Sequence, residues 1–429
     1  MVLAAISVPC YSIESHQIMA RIKPFQAVRP FRDKVALVTT RSYENYSNKE
    51  RNSILELNPF SFLHILRPGF KFHKTVHGKK RFRMVRNRYT EFKENGIFQQ
   101  DKQPAYYLHQ KTYAGKTYWG IIGLASLEDY ENKVIKKHER TLRQREELFG
   151  NYLEVTGFNA EPVLLTYPDN AFLESIYEKY RGRRAEYEFT TNKHRNHLLW
   201  LIEDQEDLQR ISLEFEKMQG LYIADGHHRT ASSHFLYKKW RDAAESAAGE
   251  NSRYFMAYFI PESNLRITSF YRFVKSLNAL SKEEFLIRLD EFFRIENLGS
   301  KFYKPSKKHH FSMYLDGEFY KLYLRRTSYP IVTVLDDLDS EVLYRCVLGP
   351  ILGIEDLSND KNIAYLPEIE NEMLLKDLVD SREYAVGFGC FPVSVEQMKQ
   401  VADQQLIMPP KSTYVEPKLR SGLTIYELK

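Results

Sequence analysis

Cysteine is scarce in this chain: three in 429 residues, Cys10, Cys346 and Cys390, far apart and in no paired spacing. That excludes a disulfide framework and a zinc knuckle, and it fits a reducing cytoplasm. Long apolar runs are also missing; none approaches the roughly 18 residues a membrane span requires. The glycine strings Gly-x-x-x-x-Gly-Lys-Ser/Thr and Gly-x-Gly-x-x-Gly do not occur, so P-loop and Rossmann readings fail at their defining positions. No Gly-x-Ser-x-Gly elbow supports serine hydrolysis. Charge of one sign is not in large excess, the net being +6, which permits anionic ligands without demanding nucleic acid. The short apolar piece from Val2 to Pro9 has no Lys or Arg ahead of it, unlike a secretory signal. Met19 looks the more natural start, and residues 1–18 are expected to be an upstream or loose extension.

What is present describes a globular protein. The apolar fraction is 43%, and 29 Tyr and 27 Phe give an aromatic content of 14%, suited to a sheet-rich interior. The length predicts two or three domains. Phe82, Val85, Tyr89 and Phe92 recur at helical spacing within the basic stretch from Lys71 to Lys93. This predicts an amphipathic helix with a solvated basic face. Alternation in 106–110 and 118–124 around Ala114-Gly115 predicts a hairpin. Further strands are expected at 163–167, 197–202, 221–224 and 254–260, with helices at 142–153 and 230–240. Beyond about Leu265 a second unit begins, in which Asp316-Gly317 between two apolar runs signals another hairpin. A helix at 340–348 and a strand at 383–389 follow. The expected class is α+β, with a mixed-sheet core over 19–264, a smaller α+β unit over 265–405, and a loop-like 406–429, where Pro409-Pro410 bars regular structure.

The densest chemistry lies where the apolar residues Leu221 to Ala224 run into Asp225-Gly226-His227-His228-Arg229-Thr230. That order reads strand, tight turn, helix start. Gly226 can take backbone angles closed to other residues, leaving the first N–H groups of the helix free for an anion. His227, His228 and Arg229 add donors to the same spot, Arg229 with a fork that matches phosphate oxygens. The alternative is an ordinary turn and cap with Arg229 in a salt bridge. A second constellation is Lys137-His138-Glu139-Arg140-Thr141. It lacks the second histidine of a zinc-protease helix. It offers Glu139 as a general base or magnesium ligand and His138 beside a phosphate, or else a charged helix start and nothing more. The closing loop carries Lys411, Ser412 and Lys418, which either fold back over the site or form a surface tail.

The motifs Ile22 to Pro30, Asn58 to His64, Lys137 to Thr141, Ala224 to Arg229 and Pro410 to Tyr414 together resemble the domain-of-unknown-function family 1015, over nearly the whole chain after Met19. Where its members show Pro-Tyr-Asp-Val, this chain has Arg41-Ser42-Tyr43-Glu44. The Asp-Gly-His-His-Arg string is similar to that of the ParB/sulfiredoxin-like superfamily, especially its free-serine kinases, in which the equivalent turn holds nucleotide phosphates. The resemblance covers Asp225 to Arg229. Sulfiredoxin chemistry needs a cysteine there and is excluded.

Phosphoryl transfer requires positive charge on the phosphoryl oxygens, usually a magnesium ion, and a base for the hydroxyl proton. Gly226, His227, Arg229, Thr230, His138, Lys411, Ser412 and Lys418 are the candidate nucleotide-binding residues. Asp225, Glu139 and His228 are the candidate catalytic residues, with Asp225 as metal ligand. The expectation is a cytoplasmic phosphotransferase using ATP or ADP with magnesium on a small hydroxyl substrate, L-serine to O-phosphoserine in either direction. The alternatives are a nucleotide-sensing regulator that binds DNA through the basic helix, and a phosphatase on the same substrate. Membrane contact and nucleic acid are not expected, and the oligomeric state is left open.

Overall fold

Two turns built for left-handed backbone organise the sheets. Ala114 and Gly115 have φ of 51° and 73°, and Asp316 and Gly317 have φ of 47° and 83°, the pair of positive angles that matches hairpin twist. The computed structural model describes residues 19–192, 194–243, 249–367 and 373–428. The expected extension at 1–18 and Cys10 lie outside these residues.

The larger sheet has nine strands: β1 (Ile22–Lys23), β2 (Tyr106–Tyr113), β3 (Lys116–Ser126), β4 (Ile135–Lys136), β5 (Val163–Tyr167), β6 (Tyr187–Thr191), β7 (Arg195–Ile202), β8 (Leu221–Asp225) and β9 (Tyr254–Pro261). Their order is β6-β7-β2-β3-β9-β5-β8-β4, with β1 on β3. The sheet is mixed, since β9 and β5 are parallel, as are β8 and β4, while β8 and β5 are antiparallel. Side chains alternate between two faces. One face, with Tyr106, Leu108, Ile121, Leu165, Ile223 and Phe259, packs under the helices Ala171–Arg181 and Gln205–Glu216. The other, with Tyr107, Ile122, Leu164, Tyr222, Ala224 and Tyr258, is covered by the helix His227–Asp242 and by the C-terminal segment through Val415, Leu423, Tyr426 and Leu428.

A second sheet of six strands is antiparallel throughout, in the order Phe293–Gly299, Glu318–Leu324, His310–Leu315, Val386–Cys390, Phe270–Val274, Ile363–Pro367. Its own apolar cluster includes Phe285, Phe311, Val342, Cys346 and Phe388. The fold is therefore mixed α+β.

The basic stretch forms the helix Gly78–Glu94 and buries Phe82, Val85, Tyr89 and Phe92, as the spacing predicts. Several elements differ from expectation. The helix expected from Thr230 starts at His227, because Gly226, with φ of 101°, lets the chain turn directly into it. The helix at Ser340 is α-helical only over Asp339–Leu343 and continues as a π turn over Tyr344–Leu348. The strand at 383–389 is Val386–Cys390. The closing segment is not all loop: Tyr414–Glu416 pairs with Arg266–Thr268, Arg420–Ser421 with Thr40–Arg41, and Tyr426–Glu427 with Phe158–Asn159. The paired prolines stop regular structure only locally, and beyond them the backbone finds free strand edges.

Candidate functional site

Parallel pairing of β8 with β4 aligns Leu221 with Ile135 and Tyr222 with Lys136. Residues that leave the two strands in the same direction must then lie side by side. This brings His138 and Glu139 next to His227, although 88 positions separate Glu139 from His227. His227 Nδ1 is 3.2 Å from Glu139 Oε2, and the His138 and His227 rings lie 4.6 Å apart at 82°. Among the described residues, His138, Glu139 and His227 form the group whose ligand atoms cluster within 4.8 Å of one another. His138 is fully buried, and neither of its ring nitrogens has a hydrogen-bond partner; His227 Nε2 is likewise unpartnered. Burial, followed by the neighbouring His227, pushes His138 down to about 3. Burial opposes the charge on Glu139, but His227 outweighs it, with smaller help from His138 and Lys411, and brings the carboxyl down to about 2.

Register slips between Ile223 and Asp225 where β8 meets β5, a bulge that re-aims the last side chain of the strand. Asp225 Oδ2 accepts from Arg229 Nη2 at 2.8 Å, and its Oδ1 accepts from Lys418 Nζ at 2.8 Å. Burial would raise this carboxyl, but Lys418 and then Arg229 hold it below its ordinary value. Arg229 Nη1 also donates to the Pro162 carbonyl and to Glu161 Oε1, both at 2.7 Å. The salt-bridge alternative for Arg229 thus describes its geometry. At the helix start, the first intrahelical bond runs from Thr230 N–H to Gly226 O, and no side chain caps the turn. The N–H groups of His227, His228 and Arg229 precede that bond, as an anion-binding helix end requires. Thr230 is buried, and its hydroxyl bonds back to the Gly226 carbonyl at 3.4 Å. His228 is half-buried with Nδ1 unpartnered, and burial followed by Arg145 lowers its pKa.

The C-terminal segment reaches this place at two points. Met408 N–H donates to the His138 carbonyl at 2.9 Å, and Lys418 meets Asp225. Lys411 is exposed, near enough to Glu139 to act on its charge. Ser412 is turned inward instead: its hydroxyl is 2.8 Å from Ser340 Oγ and donates to the Pro409 carbonyl at 2.7 Å.

Behind Lys418 stands a wall of cations and imidazoles that the sequence reading missed. Lys111 is buried and donates to the Lys418 carbonyl at 3.0 Å. Burial and then Arg195 push its amine down to about 8. His109 Nε2 is 3.1 Å from His197 Nδ1, and the His197 ring stacks on Phe189. The Arg420 guanidinium bonds Thr39. A signal existed in β2, where His109 and Lys111 continue the period-2 face begun by Tyr107. Glu161 carried none.

Two features limit the other chemistries. Magnesium prefers oxygen ligands, whereas the clustered donors include two imidazoles, and each oxygen of Asp225 already accepts from a cation. On the basic helix, Arg81 donates to the Leu66 carbonyl, Arg88 pairs with Glu91 and Lys93 with Glu427, so part of the face expected for DNA is tied into the protein. Among the described residues, no helix is long and apolar enough to cross a membrane.

The chain belongs to the family described as protein of unknown function (DUF1015), whose profile matches residues 22–341. None of the curated proteins compared matches the sequence. Among solved structures, it is similar to a free serine kinase in complex with AMP, at 12% identity and a TM-score of 0.35 over 70% of this chain and 90% of that one. A mutant of free serine kinase in complex with ADP gives 12% and 0.36 over 70% and 91%. SbnI with a C-terminal truncation, from Staphylococcus aureus, gives 11% and 0.39 over 72% and 87%. Scores this low place no residue of this chain against a residue of theirs.

Proposed function

We propose that the chain is a nucleotide-dependent phosphotransferase with a ParB/sulfiredoxin-like core, acting on a small hydroxyl substrate, with L-serine and O-phosphoserine as the leading pair in either direction. The supporting observation is the meeting of Lys418 with Asp225 at an uncapped helix N-terminus. The free N–H groups after Gly226 bind phosphate oxygens, and the helix dipole favours their charge. Lys418 and Arg229, pre-oriented by Asp225, place two cations at the same turn, and Lys111 sets a third behind them. Lys411 adds an exposed cation at the Glu139 side. Asp225 serves as the organiser of these cations in place of the metal ligand expected from sequence. His228, kept neutral by burial, accepts the hydroxyl proton. Glu139 orients His227 through their contact at 3.2 Å. A magnesium ion would enter with the nucleotide and neutralise phosphate charge, held chiefly by phosphate oxygens and water. L-serine as the acceptor rests on the resemblance of the Asp225 to Arg229 string to free-serine kinases.

The test is thermal unfolding of wild type and His228→Ala against ATP, ADP, CTP and GTP with magnesium, followed by product analysis with serine and phosphoserine. A ligand that binds only the folded state raises its stability. One nucleotide should raise the melting temperature, and phosphate should move between it and serine, with turnover lost in the variant. No shift and no turnover with any nucleotide refutes the reading. Phosphate release from phosphoserine without nucleotide would instead indicate the phosphatase.

A further inference from the structure

We propose that His138, Glu139 and His227 form a resident site for a borderline divalent cation of the zinc, cobalt, nickel or ferrous class, distinct from any magnesium that arrives with a nucleotide. Three observations converge on it. The first is proximity. The ligand atoms of the three side chains lie within 4.8 Å of one another. Ligands about 2.1 Å from an ion in tetrahedral array are about 3.4 Å apart, so at most about 1.4 Å of closure between any two ligand atoms completes the set.

The second is unsatisfied polarity. A buried core histidine ordinarily donates one N–H and accepts through the other nitrogen. His138 is fully buried, and both of its nitrogens lack partners, as does His227 Nε2. An unpaired buried polar group is destabilising, and a cation shared between the two rings satisfies one nitrogen of each.

The third is rigidity. His138 and Glu139 leave β4, His227 leaves β8, and the two strands are hydrogen-bonded in parallel. Met408 N–H holds the His138 backbone at 2.9 Å. The backbone that carries the donors is therefore held before any ion binds, and three protein ligands leave a coordination position open. That opening faces the Glu139 side, where the side chain is 38% exposed against 3% for His227. Two nitrogen donors and one carboxylate select the borderline ions over magnesium and calcium, which take oxygen.

The experiment uses the full chain, stripped with a chelator, dialysed and titrated with Co²⁺ alone in the absence of nucleotide, so its result is independent of the phosphotransferase reading. Visible ligand-field absorption should saturate at one ion per chain, and zinc, but not millimolar magnesium, should displace it. Glu139→Gln and His227→Asn should each weaken Co²⁺ binding about 10- to 100-fold or more, the range seen when even supporting groups are lost. Circular dichroism and melting should show the variants folded. If His138→Asn, at a fully buried position, fails to fold, the other two variants decide. The proposal is overturned if the wild type shows no saturable Co²⁺ absorption, or if both folded variants bind Co²⁺ as the wild type does.

Discussion

Replacing Gly226 with alanine tests the turn on which the phosphate cradle depends. Its φ of 101° costs an L-residue about 1–3 kcal/mol. The added methyl would sit 3.0 Å from Arg229 Nε and Nη2 and 3.1 Å from Cζ. The guanidinium must then shift, although it is bonded to Pro162, Glu161 and Asp225. Weakening those part-exposed pairs adds about 1 kcal/mol, for a total of about 2–4 kcal/mol. Unfolding entropy is about 2.1 cal/mol/K per residue, or roughly 0.9 kcal/mol/K for a chain of 429 residues. The melting temperature should therefore fall by about 2–4 °C in calorimetry if the chain unfolds cooperatively. Gly249→Ala is the control, because its φ is −56° and a methyl there meets nothing within 4 Å. It should melt within about 1 °C of wild type, on the stable side if anything. A nucleotide at a hundredfold excess over its Kd adds about 2.7 kcal/mol, a rise of about 3 °C, which Gly226→Ala should lose and Gly249→Ala should keep. If Gly226→Ala melts like the control and retains the nucleotide shift, the turn is neither strained by a side chain nor a ligand site.

Lys418→Met removes a cation from Asp225 at 2.8 Å, where the two side chains are 30% and 35% exposed. It should cost only about 1 kcal/mol of stability yet weaken nucleotide binding about 10- to 100-fold, since charged hydrogen bonds contribute about 1.5–3 kcal/mol. Unchanged affinity by titration calorimetry would remove Lys418 from the cradle. Ser412→Ala should leave nucleotide affinity within about twofold, because its hydroxyl is committed to Ser340 and Pro409, and should lower stability by about 1 kcal/mol. A large affinity loss would contradict that geometry. His109 is pushed down to about 3 by burial, then by Lys111 and Arg420. Below its unfolded value of about 6.5, the unfolded chain takes up a proton that the folded chain refuses. Stability from this group therefore falls as pH drops from about 6.5 towards 3, by up to about 1.4 kcal/mol per unit. Melting of wild type and His109→Gln between pH 7 and 4 should show a shallower decline in the variant, and equal slopes would refute the assignment.

Most local elements and the conformation of the turn are written in short stretches of sequence. Alternation marked the hairpin strands on either side of Ala114-Gly115, Phe82 to Phe92 marked a helix face, and Asp316-Gly317 marked a hairpin, because side-chain period and positive-φ residues act within a few positions. Gly226 between a strand and a polar helix start was legible for the same reason. Which distant residues meet was decided by pairing between strands. The parallel register of β4 with β8 sets Glu139 against His227. Strand edges at Arg266–Thr268 and Thr40–Arg41 capture the closing segment and deliver Lys418 to Asp225, 193 positions away. Tertiary packing then assigned the roles that residue type left open: it buried His138 with neither ring nitrogen partnered, drew Ser412 inward, and set Arg229 between Asp225 and Glu161. These outcomes depend on the free energy of packing and of desolvating charges across the whole chain, which no short stretch of sequence contains.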